Sequence, residues 1–325
     1  MAPGMEADVK RLIVCWFLAG VLGCGQRAIE ENPAEPSMPP DDQAATHAPD
    51  GITETPDATD RPPSPSPEAV AASAVPQTDS TKDPTAILEK LGGFLERNDQ
   101  NEVTSVLLDE CSISDAALAH LKGLPQLNAL SLTLTEITDA GLVHLKEIST
   151  LQTLILGATG ITDAGLAQLA GLNNLQTLDI QATEITDAGL VHLVGLSGLQ
   201  TLMLNSTQIT DAGLIHLKGM TKLQKLSLDY NNRLADAGLV HLAGLKHLEF
   251  VDLNTTKITD AGLLHLQNLD KLQTLHLYDN KITDAGVAHL ASLTNLRELN
   301  IIDTQITATG VAALNKALPK CMIER

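Results

Sequence analysis

Basic residues, cysteines and catalytic motifs are scarce in this chain of 325 residues. Only 21 Lys and Arg stand against 40 Asp and Glu, and a net charge of −19 repels nucleic-acid phosphates rather than releasing their counterions. The 4 cysteines form no CxxC pair, which excludes zinc binding through that spacing. The repeated part of the chain has no Gly-rich phosphate loop, no GxSxG and no HExxH. We therefore expect neither nucleic-acid binding nor enzymatic activity, and no cofactor.

One short segment recurs through most of the chain. The sequence ITDAGL begins at Ile137, Ile161, Ile185, Ile209 and Ile258. Its aspartate returns every 24 residues, with one interval of 25, at Asp115, Asp139, Asp163, Asp187, Asp211, Asp236, Asp260 and Asp284. A fixed period of this length indicates a solenoid built from stacked repeats.

A leucine frame, L-x-x-L-x-L-x-x-T-x-I, precedes each of these segments, as at Leu175, Leu178 and Ile180. The frame alternates with period two, as in a strand, and then changes to i, i+3 spacing, as in a helix. Each repeat is therefore predicted to be one strand and one helix, and only stacking can bury its apolar face. About nine strands are predicted to start near Val103, Leu127, Leu151, Leu175, Leu199, Leu223, Leu248, Leu272 and Leu296.

The start of each helix is encoded by the residue before the aspartate. Ser or Thr at this position can cap the helix, and the following aspartate then lies in its positive first turn. Because each repeat supplies only one such acid, we interpret the aspartates as structural rather than catalytic or calcium-binding. The predicted caps are Ser114, Thr138, Thr162, Thr186, Thr210, Thr259, Thr283 and Thr307.

These frames resemble leucine-rich repeat proteins from Val103 to Ile323, and the ITDxGL half is similar to the cysteine-containing subclass. The resemblance implies an α/β fold, a leucine-rich repeat solenoid shaped as a right-handed horseshoe or arc, with parallel strands on its concave face. It also implies an inward polar residue after each strand that bonds backbone groups of the turn, which a threonine hydroxyl can do. That position holds Cys111, Thr135, Thr159, Thr183, Thr207, Thr256, Asn280 and Thr304.

The N-terminal residues resemble an export signal. A basic pair precedes an apolar run from Leu12 to Leu22, which is too short to span a bilayer. The run ends in Val21-Leu22-Gly23-Cys24, similar to the bacterial lipobox, which implies removal of residues 1–23 and lipid attachment to Cys24. We therefore expect a protein exported and lipid-anchored to a bacterial cell envelope membrane, on its periplasmic or surface side. An ordinary signal peptide with an incidental cysteine is the alternative.

The remaining segments frame the repeats. Residues 24–82 are rich in Pro, Ala, Ser, Thr and acid, and such a composition predicts a disordered linker. Residues 83–102 should form an N-terminal cap, in which Asp83 caps a helix beginning at Pro84 and Phe94 to Arg97 form a strand. Residues 103–313 comprise the repeats, and residues 314–325 a C-terminal cap.

Seven histidines share one position on the helical side of the repeats. Zinc ligands must approach one ion within about 2.1 Å, whereas neighbouring helices lie about 8 to 10 Å apart. We therefore favour packing over a metal site, and a pH response of the histidines stays open. The set comprises His120, His144, His192, His216, His241, His265 and His289.

Aromatic residues make up 2% of the chain, yet three of them fall in successive strand frames: Tyr230, Phe250 and Tyr278. Alternation along the strands predicts that Phe250 and Tyr278 point outward on the concave face, with Tyr230 at its edge. The one extra residue of the array lies at Asn231-Asn232-Arg233. Together with nearby polar residues they form what we call the concave patch: Asp229, Tyr230, Phe250, Asp252, His276, Tyr278, Asp279 and Asp303.

Rigid aromatic rings among polar groups are typical of protein-binding surfaces. The acidic charge favours a basic protein or peptide as the partner. One hypothesis is therefore a lipid-anchored module that binds a protein or peptide on the concave patch. The alternative is a structural scaffold or adhesion element of the envelope without a single ligand, which the near-identity of the repeats favours. Chance clustering of surface residues would also explain the patch.

Overall fold

A computed structural model describes residues 83–325, so the predicted signal peptide, Cys24 and the linker lie outside the described residues. Eleven strands form one sheet in which spatial order follows chain order. The first pair is antiparallel and each later pair is parallel. The strands are β1 Phe94–Arg97, β2 Val103–Leu107, β3 Ala129–Ser131, β4 Thr153–Ile155, β5 Thr177–Asp179, β6 Thr201–Met203, β7 Lys225–Ser227, β8 Phe250–Asp252, β9 Thr274–His276, β10 Glu298–Asn300 and β11 Met322–Glu324.

The strands stack in register because the same leucine of each repeat occupies the same level of the core. Leu178, for example, pairs with Leu154 on one side and Leu202 on the other. This buried row comprises Leu130, Leu154, Leu178, Leu202, Leu226, Val251, Leu275 and Leu299. Each leucine is covered by its neighbours above and below, so the repeats share one aliphatic core and the predicted solenoid is confirmed.

The helical segments of the repeats are shorter and more tightly wound than the α-helices predicted from the sequence. From the last residue of ITDAGL onward, a leucine or isoleucine recurs every three residues, as at Leu142, Leu145, Ile148 and Leu151, all of which are buried. A period of three matches a 3-10 turn better than the 3.6 of an α-helix. Most repeats accordingly contain a single α-helical turn or a 3-10 segment instead of a full helix.

The α-helices are α1 Pro84–Lys90, α2 Asp139–Leu142, α3 Asp163–Leu166, α4 Asp187–Leu190, α5 Asp236–Leu239, α6 Asp260–Leu263, α7 Val287–Ala291 and α8 Ala308–Ala317. The 3-10 segments are Asp115–Gly123, Ala167–Leu169, Val191–Leu193 and Gly213–Leu217.

The repeated aspartates join one repeat to the next. Asp163 accepts hydrogen bonds from the backbone N–H of Thr186 at 2.8 Å and from its hydroxyl at 2.6 Å. That threonine in turn caps its own helix by accepting from the N–H of Ala188. The structural interpretation of the aspartates is thus confirmed, with partners in the following repeat that local sequence patterns do not indicate. Ser114 is the exception among the predicted caps, because its side chain makes no capping bond.

Glycine in ITDAGL makes room for this aspartate. A Cβ atom on Gly141 would lie 2.5 Å from Asp115 Oδ1 and 3.0 Å from Leu118 Cδ1, well inside normal contact. The same aspartate oxygen of the preceding repeat faces each equivalent glycine along the array. The Asp and Gly of the D-A-G sequence therefore form one contact between repeats. The glycine has no side chain, which leaves space for the aspartate carboxylate of the preceding repeat.

The inward position after each strand also behaves as the resemblance implies. Thr183 donates its hydroxyl to the carbonyl of Ile180 at 2.6 Å, and equivalent threonines do the same. Asn231 occupies this position in the repeat of β7, although the sequence analysis did not assign it, because the extra residue falls beside it. Its amide donates to the carbonyls of Leu204 and Leu228, and so bridges two repeats.

Both ends of the sheet are closed by non-repeating elements. Asp83 caps α1 through a hydrogen bond from the N–H of Thr85 at 3.0 Å, and β1 forms at the predicted residues. At the other end, α8 leads into β11, which pairs with β10. This last strand was not predicted from the sequence. Its Ile323 packs against the core, and its backbone covers the edge of β10.

Candidate binding surface

The outward residues of the strands line up across the concave face as predicted. Asp252 of β8 lies between Ser227 of β7 and His276 of β9, and Phe250 lies between Lys225 and Thr274. Because parallel strands stand about 4.8 Å apart, side chains at matching positions touch. The sheet therefore brings Phe250, Asp252 and His276 together, although about 24 residues separate successive strands in the chain.

Parts of this face are more covered than alternation alone predicts. Ser131, Met203 and Ser227 lie in the outward column, yet each is at most 2% exposed. Asp179 in the same column is also buried, and the side-chain amide and N–H of Gln181 bond its carboxylate. Burial raises the pKa of Asp179 to about 6. Close strand spacing and the side chains at the strand ends together exclude water from this column.

His276 is the centre of the floor of the patch. Its Nε2 atom lies 3.2 Å from Glu298 Oε1, and its Nδ1 atom lies 3.9 Å from Asp252 Oδ2. Burial lowers the pKa of His276, but hydrogen bonds and charges from Asp252 and Glu298 outweigh it, so the net pKa is raised. The Phe250 ring meets the imidazole edge-on, with ring centres 5.3 Å apart. These contacts fix the imidazole between two acids.

Asp229 adds a second acid to the floor. Burial and, to a smaller extent, the negative charge of Asp252 raise its pKa to about 7, against the opposing effects of the Tyr230 N–H and the charge of His276. Its Oδ1 atom is buried and has no hydrogen-bond partner in the described part of the chain. This carboxylate is therefore held where its charged form is poorly stabilised.

The other four predicted residues form the rim of the patch. Tyr230, Asp279 and Asp303 each occupy the turn after a strand, with positive φ angles of 57°, 53° and 55°. Tyr230 is 51% exposed, and Tyr278 bonds Asp303. That hydrogen bond raises the pKa of Tyr278, with smaller contributions from the charges of Asp303 and Asp279. The rim presents two phenol rings beside two carboxylates.

The structure thus separates the predicted residues into two levels. Asp229, Phe250, Asp252 and His276 form the floor, while Tyr230, Tyr278, Asp279 and Asp303 form the rim. Asn254 connects the levels, because its side chain accepts from the N–H of Tyr278 and its carbonyl accepts from the N–H of Tyr230. Glu298 was not predicted as a patch residue, and its contact with His276 makes it a neighbour of the floor.

In residues 83–325, no group of three or more His, Cys, Asp or Glu is arranged to hold a metal ion. Within the same residues, no helix has the length and apolar character needed to cross a membrane. The seven histidines that share one repeat position, and the repeated aspartates, lie away from the concave patch. Both sets are at the helical side of the repeats.

The strands of the parallel sheet follow one another in chain order, short helical segments connect them, and one face of the sheet carries the candidate surface. These features define a solenoid repeat protein. The family model for the leucine-rich repeat region matches residues 102–322, and the chain belongs to this family. No protein of curated function matches the chain.

Solved structures of two repeat proteins are similar to it. The plant peptide hormone receptor RGFR1 in complex with RGF2 shares 18% identity at a TM-score of 0.49, over 71% of this chain and 36% of the receptor chain. This chain thus spans little more than a third of that receptor. An internalin C2 from Listeria monocytogenes shares 26% identity at a TM-score of 0.43, over 74% of this chain and 92% of the internalin.

Proposed function

We propose that this protein is a non-catalytic, lipid-anchored envelope protein that binds a basic protein or peptide on the concave patch. The observation that carries the proposal is the arrangement of the patch, in which two tyrosines stand at the rim of an acidic floor. Leucine-rich repeat proteins commonly act as interaction scaffolds, which agrees with this role.

The aromatic residues supply contact area. Tyr230 is half exposed, and its neighbour Tyr278 is held by Asp303, so both rings are available on structured turns. Large rings with few rotatable bonds lose little entropy on binding and are frequent hot spots of interfaces. We expect them to cover the apolar parts of the ligand.

The acidic residues set the charge of the partner. Four aspartates belong to the patch and Glu298 borders it, against the imidazole of His276 and the ammonium group of Lys225, which lies beside Phe250. The aspartates are Asp229, Asp252, Asp279 and Asp303. A ligand with Lys or Arg side chains would be attracted to this face by its negative charge. On binding, its positive charges would reduce the repulsion between the carboxylates of the patch. A basic partner therefore fits better than an acidic one.

The floor does not have the geometry of a nucleophilic catalyst. A hydroxyl nucleophile needs a hydrogen bond to a base, usually a histidine. Here the buried Ser227 hydroxyl bonds Asp252 at 3.3 Å, and the His276 nitrogens face Asp252 and Glu298. This arrangement supports a binding role for the polar residues.

Capture of a partner tests the binding role. Residues 83–325 should retain a specific envelope protein or peptide, and the Tyr230→Ala, Phe250→Ala, Tyr278→Ala variant should lose it by at least about tenfold, because hot-spot truncations cost about 2 kcal/mol or more. Enrichment is measured by quantitative mass spectrometry of the retained proteins, after circular dichroism shows that both proteins are folded.

A matched variant on the opposite face controls for the loss of exposed apolar surface. Val191, Ile215 and Leu264 are each about half exposed on the helical side, and their alanine variant should retain the partner fully. Equal retention by all three proteins, or retention of nothing by the parent, would contradict the proposed site.

The lipid anchor is tested separately. Cys24→Ser in the full chain should move the protein from the membrane fraction to the soluble fraction and abolish incorporation of labelled palmitate, because the thiol is the atom that the lipid would modify. Cys15→Ser is the matched control and should keep both properties. A Cys24→Ser protein that is still labelled would refute the anchor while leaving the binding proposal intact.

A scaffold or adhesion element is the second candidate. The repeats from Ile161 to Leu217 are nearly identical in their framework, which favours a structural array. This candidate would be favoured if the parent retains many envelope components and the aromatic variant retains the same components equally well.

A further inference from the structure

One column of exposed residues runs along the stack, and each member directly precedes the isoleucine or leucine that begins the next repeat. The backbone holds this column in line. The N–H of Lys257, for example, donates to the carbonyl of Leu234 at 2.8 Å, and the bridge there pairs Lys257 with Ala235. The column, which we call the edge column, comprises Glu136, Gly160, Glu184, Gln208, Arg233, Lys257, Lys281 and Gln305.

The spacing of the edge column follows from these bridges. Lys281 pairs with Thr259 in the same way, so equivalent residues of successive repeats are staggered by two positions. Bridged segments lie about 4.8 Å apart and a residue advances about 3.3 Å, which places successive members about 8 Å from one another. The members therefore form a regular row of side chains whose period is the repeat itself.

The charge of the edge column changes sign halfway along the stack. Glu136 and Glu184 stand in its first half, whereas Arg233, Lys257 and Lys281 follow one another in its second half. All five side chains are exposed, and none of them forms an ion pair with another residue in the range 83–325. The three successive cations repel one another. A surface that presents the opposite order of charges would relieve this repulsion.

A second copy of the chain presents that order when it runs in the opposite direction. A two-fold axis through Gln208 places Glu184 of each copy opposite Arg233 of the other, and Glu136 of each copy opposite Lys281 of the other. Both copies have the same period, so the side chains stay in step along the row. At the axis Gln208 meets its own counterpart, and two amide groups can each donate and accept a hydrogen bond.

The charges favour this position of the axis over its neighbours. Moving the axis halfway towards Arg233 leaves Glu184 opposite Lys257 as the single type of ion pair, and moving it halfway towards Glu184 leaves Glu136 opposite Lys257. An axis through Arg233 or through Glu184 brings like charges together, which is unfavourable. The axis at Gln208 gives two types of ion pair and no like pair. The cavity that Gln208 shares with Asn232 and Arg233 leaves room there for side chains of the other copy.

We propose that two copies of this protein associate in opposite directions along the edge column, with the two-fold axis at Gln208. Such a contact needs a surface that is complementary to itself, and it closes after two copies. The interface goes beyond the proposed ligand binding and does not depend on it. Exposed ion pairs are individually weak and are screened by salt. The dimer should therefore be reversible and stronger at low ionic strength.

Charge reversal at one contact tests both the pairing and the position of the axis. Glu184→Arg brings two cations together at each contact, and Arg233→Glu brings two acids together. A mixture of the two variants restores opposite charges at both contacts. Sedimentation velocity of the full chain at low salt should show a dimer for the parent, about tenfold weaker association for each variant alone, and association close to that of the parent for the equimolar mixture.

Asp270→Arg is the matched control. It makes the same change of charge at an exposed acid on the helical side, and it should leave association unchanged. Circular dichroism shows that each protein tested is folded.

Disulfide trapping locates the axis independently. Gln208→Cys places two thiols at the axis, within the roughly 7 Å between Cα atoms that a disulfide requires. Under mild oxidation the full chain with this substitution should form dimers severalfold more than the parent, whose own cysteines give the background. Gln305→Cys is an exposed substitution in the same column but far from the axis, and it should stay at the background.

The proposal is overturned if the parent is monomeric at its highest soluble concentration, or if the mixed variants associate no better than each variant alone. It is also overturned if Gln305→Cys is trapped as readily as Gln208→Cys. A dimer that is equally strong in the parent, in Glu184→Arg and in Arg233→Glu would show that another surface joins the copies, and would equally refute the edge column as the interface.

Discussion

Replacement of Asp163 by alanine is expected to lower the free energy of unfolding by about 3 kcal/mol, because hydrogen bonds to a charged group contribute about 1.5 to 3 kcal/mol each. The variant loses the bonds from both the N–H and the hydroxyl of Thr186, at 2.8 and 2.6 Å. Both donors then face the space that the carboxylate filled. Urea unfolding monitored by circular dichroism at pH 7 measures the change.

The chain contains its own control for this prediction. Asp211 bonds only the backbone N–H of Ala235, at 2.7 Å, because alanine replaces threonine in that repeat. Asp211→Ala should therefore cost about half as much as Asp163→Ala, in line with one bond against two. Equal losses for the two variants would show that the threonine hydroxyl contributes nothing to the joint between repeats.

The second large effect is a fall in stability as pH rises. The pKa values of Asp179 and Asp229 are raised to about 6 and about 7, from the usual 3.8. A group whose folded pKa is raised contributes stability that is fully present below pH 3.8 and is lost as pH rises through the folded pKa. At about 1.4 kcal/mol for each pKa unit, Asp179 corresponds to about 3 kcal/mol. Asp229, which is only partly buried, should contribute less per unit.

Asparagine variants measure this contribution directly. Relative to Asp179→Asn, the parent should lose about 3 kcal/mol of unfolding free energy between pH 3 and pH 8. Asp229→Asn should show a change of the same sign that extends to about pH 8. Glu147→Gln is the control of opposite sign, because Lys122 lowers the pKa of Glu147. Parallel stability curves for the parent and both asparagine variants would contradict the burial of these acids.

The sequence was sufficient for the fold because the repeat period and the strand frame are independent signals of the same unit. The paired row from Leu130 to Leu299 follows from the leucine spacing alone. The length of the helices did not follow, since a three-residue spacing of leucines was assigned to an α-helix. The hydrogen bond that the Thr186 hydroxyl donates to Asp163 was not predicted either, because a capping pattern describes contacts within one repeat and not across the stack.

The candidate site was only partly accessible from sequence. Alternation places Asp252 and His276 at matching positions of β8 and β9, with Phe250 two residues before Asp252 on the same face, and their contacts follow from that register. Burial could not be predicted in the same way, because it depends on how neighbouring outward side chains cover one another. Asn205, for example, lies just beyond β6 and is nevertheless buried, with an unpaired side-chain oxygen. Position in a repeat gives the direction of a side chain but not its partners.

Hydroxyl-radical footprinting tests most directly the claim that the concave patch is the binding surface. The captured partner is added to the protein, and the oxidation rates of Tyr230 and Tyr278 are compared with those of Phe94, which is 62% exposed on β1 at the far end of the sheet. We predict that the partner slows oxidation of both tyrosines severalfold and leaves Phe94 unchanged. Unchanged rates at both tyrosines, with protection of Val191, Ile215 or Leu264 on the helical side, would contradict the account and move the site to the opposite face.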